Sequence, residues 1–230
     1  MDDHWRLGDP GHAGGWRYVA RQLRPDRCER HSDHVLSAES VAVLQERGAP
    51  AALETSFPSG KAWERKVHSG RVVNAIDLLR IQQQEANRLL ARIDNAIGSD
   101  KRLWIDELAA HLRAHFTAEE RVIYPVAFGP RTHDLLADAI EDNNCLRRRV
   151  TELATCSPTS RHFPLKLRLL KEEFERHLIE EEDLLFVMRG RLNEALLEKL
   201  GRELAAAYQQ VVHTEPATPV YSDRAPMLME

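Results

Sequence analysis

His115-Phe116-Thr117-Ala118-Glu119-Glu120, followed by Ile123-Tyr124, and His177-Leu178-Ile179-Glu180-Glu181-Glu182, followed by Leu185-Phe186, are two versions of one pattern. Each sets a histidine and a glutamate four residues apart, and residues four apart share one face of an α-helix. That face is apolar on both sides of each pair, with Leu112 and Phe174 before and Ile123 and Leu185 after. An imidazole and a carboxylate carried inward on two helices are costly unless they bind one another, water or a metal ion. A shared metal site is the sharpest reading, because imidazole nitrogen and carboxylate oxygen are both ordinary ligands of iron, manganese and zinc.

The neighbours of the two pairs repeat with them. The offset of 62 residues that carries His115 to His177 and Glu119 to Glu181 also carries Leu108 to Leu170, Leu112 to Phe174 and Tyr124 to Phe186. Two helices with matched inward faces are expected of two helical hairpins related by a pseudo-two-fold axis, an arrangement that brings their ligands to one place. Around them the period is helical from about residue 70, with glycine and proline where helices should stop. The expected helices cover about 72–97 (before Gly98), 100–124 (before Pro125), 132–155, 164–189 (before Gly190) and 192–212. The fold class is therefore all-α: an up-down-up-down four-helix bundle over residues 71–190, an accessory C-terminal helix at 191–213 packed outside it, and a loose tail at 214–230. Residues 1–70 form an N-terminal extension of different texture, rich in glycine and proline, with one short helix at about 33–47. Trp5, Trp16, Tyr18 and Trp63 are expected to pin it to the bundle.

Composition narrows the function classes. A 230-residue chain that is 43% hydrophobic can bury one good core. Its net charge of −4, with both signs interspersed, argues against a nucleic-acid partner, and Arg147-Arg148-Arg149 reads as a solvated helix edge. The longest apolar runs fall short of a membrane span, and the N-terminus, Met1-Asp2-Asp3-His4-Trp5, lacks a basic start and an apolar core. A cytoplasmic protein with no membrane partner is expected. Cys28, Cys145 and Cys156 share no CxxC spacing, which suggests reduced structural cysteines instead of a disulfide framework or a cysteine zinc site.

With its doubled His/Glu motif in a bundle, and with Tyr124-Pro125 closing the second helix, the chain resembles the hemerythrin-like, HHE cation-binding family over roughly residues 71–190. The resemblance implies a four-helix bundle around a non-haem di-iron centre. In that family helices one and three each supply a histidine, and helices two and four each supply a His/Glu pair. By position, His115 and His177 would be terminal ligands, and Glu119 and Glu181 would bridge or terminate. Glu120 and Glu182, one residue round the helix, read as solvent-facing. His111, which has no histidine counterpart at Glu173, reads as partly exposed.

The chain departs from the family on the other two helices. Helix one offers Gln82, Gln83 and Glu85 near its apolar stripe, and helix three offers Asp142 and Asn143, with no histidine on either. Two outcomes compete. Glu85 on helix one and Asp142 or Asn143 on helix three replace the imidazoles and complete an oxygen-rich centre of about two ions, mainly iron, with manganese or zinc as alternatives. Otherwise the amides hydrogen-bond to the His/Glu pairs and no metal is held. The first outcome implies a protein that meets a small diatomic ligand or oxidant, namely oxygen, peroxide or nitric oxide. The second implies a metal-free helical interaction or regulatory module. Enzyme status, any organic substrate and oligomeric state stay open at this level.

Overall fold

The computed structural model describes residues 73–98 and 100–214. The expected N-terminal extension with its short helix and the tail beyond Thr214 lie outside the described residues. Within them every regular element is helical: α1 (Ala75–Asn95), α2 (Asp100–Ala118), a π-helical turn (Glu119–Ile123), α3 (Tyr124–Ala127), α4 (His133–Ala154), α5 (Phe163–Arg191) and α6 (Glu194–Thr214). Helix α1 packs on α2 and α5, and α4 packs on α2 and α5, so the four long helices close a ring in the expected up-down-up-down order. No helix among the described residues is long and apolar enough to cross a membrane.

Local chemistry starts and ends these helices. The side chain of Asn74 accepts from the Asp77 N–H at 3.0 Å and caps α1, while its amide reaches Glu194 at 2.9 Å and ties that end to α6. At the other end Lys101 Nζ donates to the Ile93 carbonyl at 2.7 Å, one of the last carbonyls of α1. Gly98, in the link to α2, has φ of 62°, a region that glycine enters without the penalty a Cβ imposes. The expected stop at Gly190 is not a stop: α5 continues through it to Arg191, since one glycine within a well-packed helix costs only about 1 kcal/mol.

One half of the bundle interior is dry. Leu89, Ile93, Ile105, Leu108, Leu112, Phe116, Leu146, Leu153, Leu170 and Phe174 belong to one continuous apolar cluster. Polar residues come together beyond Phe116 and Phe174, where the next turns of α2 and α5 carry the His/Glu pairs.

Two features differ from the sequence reading. The second helix does not end before Pro125. Proline has no N–H to give the Arg121 carbonyl, and the backbone widens instead into the π-turn, in which the Tyr124 N–H reaches the Glu119 carbonyl five residues back. The accessory helix α6 is not a bystander. It packs on α1, α2 and the π-turn. Gly201 makes this approach possible, because a Cβ there would lie 2.1 Å from the Val73 carbonyl oxygen.

Candidate metal centre

His115 and Glu119 at the end of α2, and His177 and Glu181 in the middle of α5, meet in the bundle interior. Each offers one donor atom, and these four atoms all lie within 4.8 Å of one another. All four side chains are buried, with at most 1% of any of them exposed.

The hydrogen bonds around the cluster settle which atoms face inward. His115 Nδ1 lies 2.8 Å from Gln82 Oε1. An amide oxygen can only accept, so Nδ1 carries the proton and Nε2 is the bare nitrogen. Asn143 Nδ2 donates to Glu119 Oε2 at 2.8 Å and also to the Tyr124 hydroxyl, leaving Glu119 Oε1 without a hydrogen-bond partner. Gln83 Nε2 donates to Glu181 Oε2, and Glu181 Oε1 is again without one. Each carboxyl thus has one tethered oxygen and one open oxygen. The open Glu119 Oε1 and the bare His115 Nε2 are 2.9 Å apart without hydrogen-bond geometry. Such an approach of two electron-rich atoms calls for a proton or a cation between them.

His177 is the least supported member. Neither ring nitrogen has a hydrogen-bond partner, and Glu181 Oε2 comes no nearer than 3.5 Å to its Nε2. Its surroundings are aromatic: Phe116 meets the ring at 5.9 Å in a T-shaped contact, and Phe174 lies at 6.0 Å.

The electrostatics of the metal-free cluster follow from burial. Burial pushes the His115 imidazole down to about 4 and His177 to about 3, so both are neutral at pH 7. It pushes Glu119 up to about 7, an effect that the hydrogen bond from Asn143 only partly offsets. Glu181 is driven well above the ordinary carboxyl range, first by burial and then by the nearby Glu119. Burial alone therefore keeps both imidazoles neutral and holds both carboxyls back from ionising.

Behind these residues lies an outer layer that the sequence reading missed. His111, expected to be partly exposed, is buried one turn before His115, with the two rings stacked at 6.4 Å. Its Nε2 donates to the Gln82 backbone carbonyl at 2.8 Å, so its Nδ1 must accept, and the Tyr208 hydroxyl of α6 donates to it at 2.7 Å. Tyr208 falls on the apolar stripe Leu197, Leu200, Leu204, Val211 of α6, a signal of burial that names no partner.

The remaining expected residues divide. Asn143 reaches Glu119. Glu85 does not join the cluster: it is buried but ion-paired with Arg88 on its own helix, and Gln82, three residues earlier, takes the position facing His115. Glu120 pairs with Arg147 and Glu182 with Arg80 at the surface, as solvent-facing residues do. The match of Tyr124 with Phe186 fails in space. Five residues along a regular α-helix is about 140° round the axis, which leaves Phe186 77% exposed, whereas the wider π-turn brings Tyr124 back under Glu119. Cys145, expected to be reduced, is disulfide-bonded, while Cys156 is free.

A four-helix bundle whose second and fourth long helices, α2 with its π-turn and α5, bury matched His/Glu pairs defines a metal-binding helical bundle. The family model for the hemerythrin HHE cation binding domain matches residues 74–189, half of the 230-residue chain, and the chain belongs to that family. Among solved structures, it is similar to a hemerythrin HHE cation binding domain-containing protein from Mycobacterium kansasii, with a TM-score of 0.54 and 23% identity over 62% of this chain and 89% of that one. At that identity the likeness speaks for the fold. Among curated proteins, it is similar to a DNA nickase from Nostoc sp. (strain PCC 7120 / SAG 25.82 / UTEX 2576), 23% identical over 141 residues. That match takes in 60% of this chain but spans 40% of the nickase.

Proposed function

We propose that this chain is an iron-binding hemerythrin-like protein whose His115, Glu119, His177 and Glu181 hold the metal, and which meets dioxygen, peroxide or nitric oxide there. One observation carries the reading: His115 Nε2, Glu119 Oε1, both nitrogens of His177 and Glu181 Oε1 are buried together without hydrogen-bond partners. Leaving one such group unpaired costs about 1–3 kcal/mol, and a bound cation would satisfy several at once. Bound iron would supply a redox-active Lewis acid. The protein's part is to prepare its ligands. Gln82 fixes the His115 tautomer with Nε2 inward, Asn143 and Gln83 orient the two carboxyls, and Phe116 and Phe174 keep water from His177. Burial and the nearby carboxyls keep the Tyr124 phenol protonated, so it adds a neutral hydroxyl beside Glu119.

In the metal-free alternative a proton on Glu119 can bridge to His115 Nε2 at 2.9 Å, but both nitrogens of His177 stay without a hydrogen-bond partner among the described residues. Nicking of DNA, the activity that the Nostoc relative's name states, draws no support here from a chain of net charge −4, in which Arg147 and Arg149 are paired with Glu120 and Glu152.

The test is anaerobic loading with Fe2+ followed by exposure to dioxygen, peroxide or nitric oxide, read by visible absorption, in wild type and in His115→Ala/His177→Ala. The reading expects new ferric or nitrosyl absorption bands in the wild type alone, with helix content by circular dichroism unchanged in the variant. Identical spectra in both proteins would refute it.

A further inference from the structure

We infer that the cluster is built for one metal ion, not the pair that the family resemblance implies; this rests on the metal reading of His115, Glu119, His177 and Glu181. The first argument is geometric. Donors about 2.1 Å from a single ion lie at most about 4.2 Å from one another, and the four donor atoms here, all within 4.8 Å, need to close by no more than about 0.6 Å to meet that limit. A two-ion centre has its metals about 3.5–4 Å apart. Imidazoles capping opposite ends of such a pair are spread by that vector and more, to roughly 6 Å.

Charge gives the second argument. Glu119 and Glu181 supply two negative charges, which neutralise one divalent cation. A second cation would add two positive charges, the buried carboxylate of Asp142 beside Asn143 is ion-paired with Arg176, and unpaired buried charge is among the costliest arrangements in a protein. Glu85, the α1 carboxylate closest by sequence, is held by Arg88.

The third argument lies in what α1 and α4 present where the family has histidines. Gln82 Oε1 is engaged by the His115 N–H, and Asn143 Nδ2 by Glu119 and the Tyr124 hydroxyl. Both amides serve as hydrogen-bond partners that aim the four ligands. The atoms they have left, Gln82 Nε2 and Asn143 Oδ1, are an N–H donor that cannot ligate and a neutral oxygen that binds weakly. Two histidines and two carboxylates around one ion leave coordination positions open to a small ligand, the donor set of a mononuclear non-haem iron or manganese site.

The experiment is equilibrium dialysis of metal-free full-length protein against Mn2+ and, anaerobically, Fe2+, with elemental analysis and the electron paramagnetic resonance spectrum of the Mn2+ form. One ion per chain is expected at saturation, with the hyperfine spectrum of an isolated Mn2+. His177→Leu should abolish uptake, and Glu85→Gln should leave the ratio at one. Two ions per chain with an exchange-coupled spectrum would overturn the inference while leaving the metal reading intact. No uptake of either ion would overturn both.

Discussion

The two halves of the cluster carry the same motif and are supported very differently. On α2, His115 is tied to Gln82 and backed by His111, which is itself held by Tyr208, while Glu119 receives Asn143 and sits above Tyr124. On α5, among the described residues, Glu181 is held by Gln83, and His177 meets aromatic rings without a hydrogen bond. One half is anchored by hydrogen bonds, and the other, on the metal reading proposed above, would be completed by the ion. Duplication therefore explains the four donors, but their support comes from elements outside the repeat: α1, the π-turn and α6.

The largest consequence is opposite in sign for two equivalent histidines. In metal-free protein His115→Leu strands Gln82 Oε1 and should cost about 1–3 kcal/mol, whereas His177→Leu replaces an unpaired buried imidazole and should stabilise by about 1 kcal/mol. Denaturant melts of the two variants measure the difference, and equal destabilisation would erase the asymmetry.

Acidity separates the groups further. His111 and His115 sit at about 4 and His177 at about 3 in the folded state, below the usual 6.5, so from about pH 3–4 up to 6.5 the unfolded chain binds protons that the folded one refuses, and their contribution rises with pH. Glu119, raised to about 7 from 4.5, works in the other direction: the folded state keeps a proton that the unfolded chain releases, and this share of stability is lost as pH rises from 4.5 through about 7. Glu119→Gln removes only the second effect. The metal-free variant should therefore gain on wild type by a few kcal/mol between about pH 5 and pH 8. A gain independent of pH would contradict this.

Smaller effects probe the outer layer. Tyr208→Phe takes the donor from His111 Nδ1 and should destabilise by about 1–2 kcal/mol. Through His115 it should also weaken metal binding by about tenfold, read by competition with a chelator. Unchanged affinity would make α6 a packing element alone. Smallest is the broken repeat itself: Tyr124→Phe should cost about 1 kcal/mol, while Phe186→Ser, on the exposed face of α5, should stay within about 0.5 kcal/mol.

Much of this was legible in the residues. The period of 3.6 located the helices and Gly98 marked the link after the first, while the repeat picked out His115, Glu119, His177 and Glu181, which come together as one candidate cluster. Spacing could not separate Gln82 from Glu85, because both border the apolar stripe of α1. The choice depends on Arg88, which draws Glu85 away. The π-turn was hidden because Pro125 reads as a stop, and with it the inward turn of Tyr124. His111 and Tyr208 pair over 97 residues between α2 and α6, a contact that no local pattern announces.

On the metal reading, the buried donors stay unsatisfied until a cation joins them. Melting temperature with and without saturating Mn2+, in wild type and in His177→Leu, tests it most directly, because a ligand that binds only the folded state must raise its stability. A clear rise is expected for the wild type, together with a variant that starts higher and does not respond. A wild type indifferent to Mn2+ and to anaerobic Fe2+, or a variant that responds as fully as wild type, would contradict it.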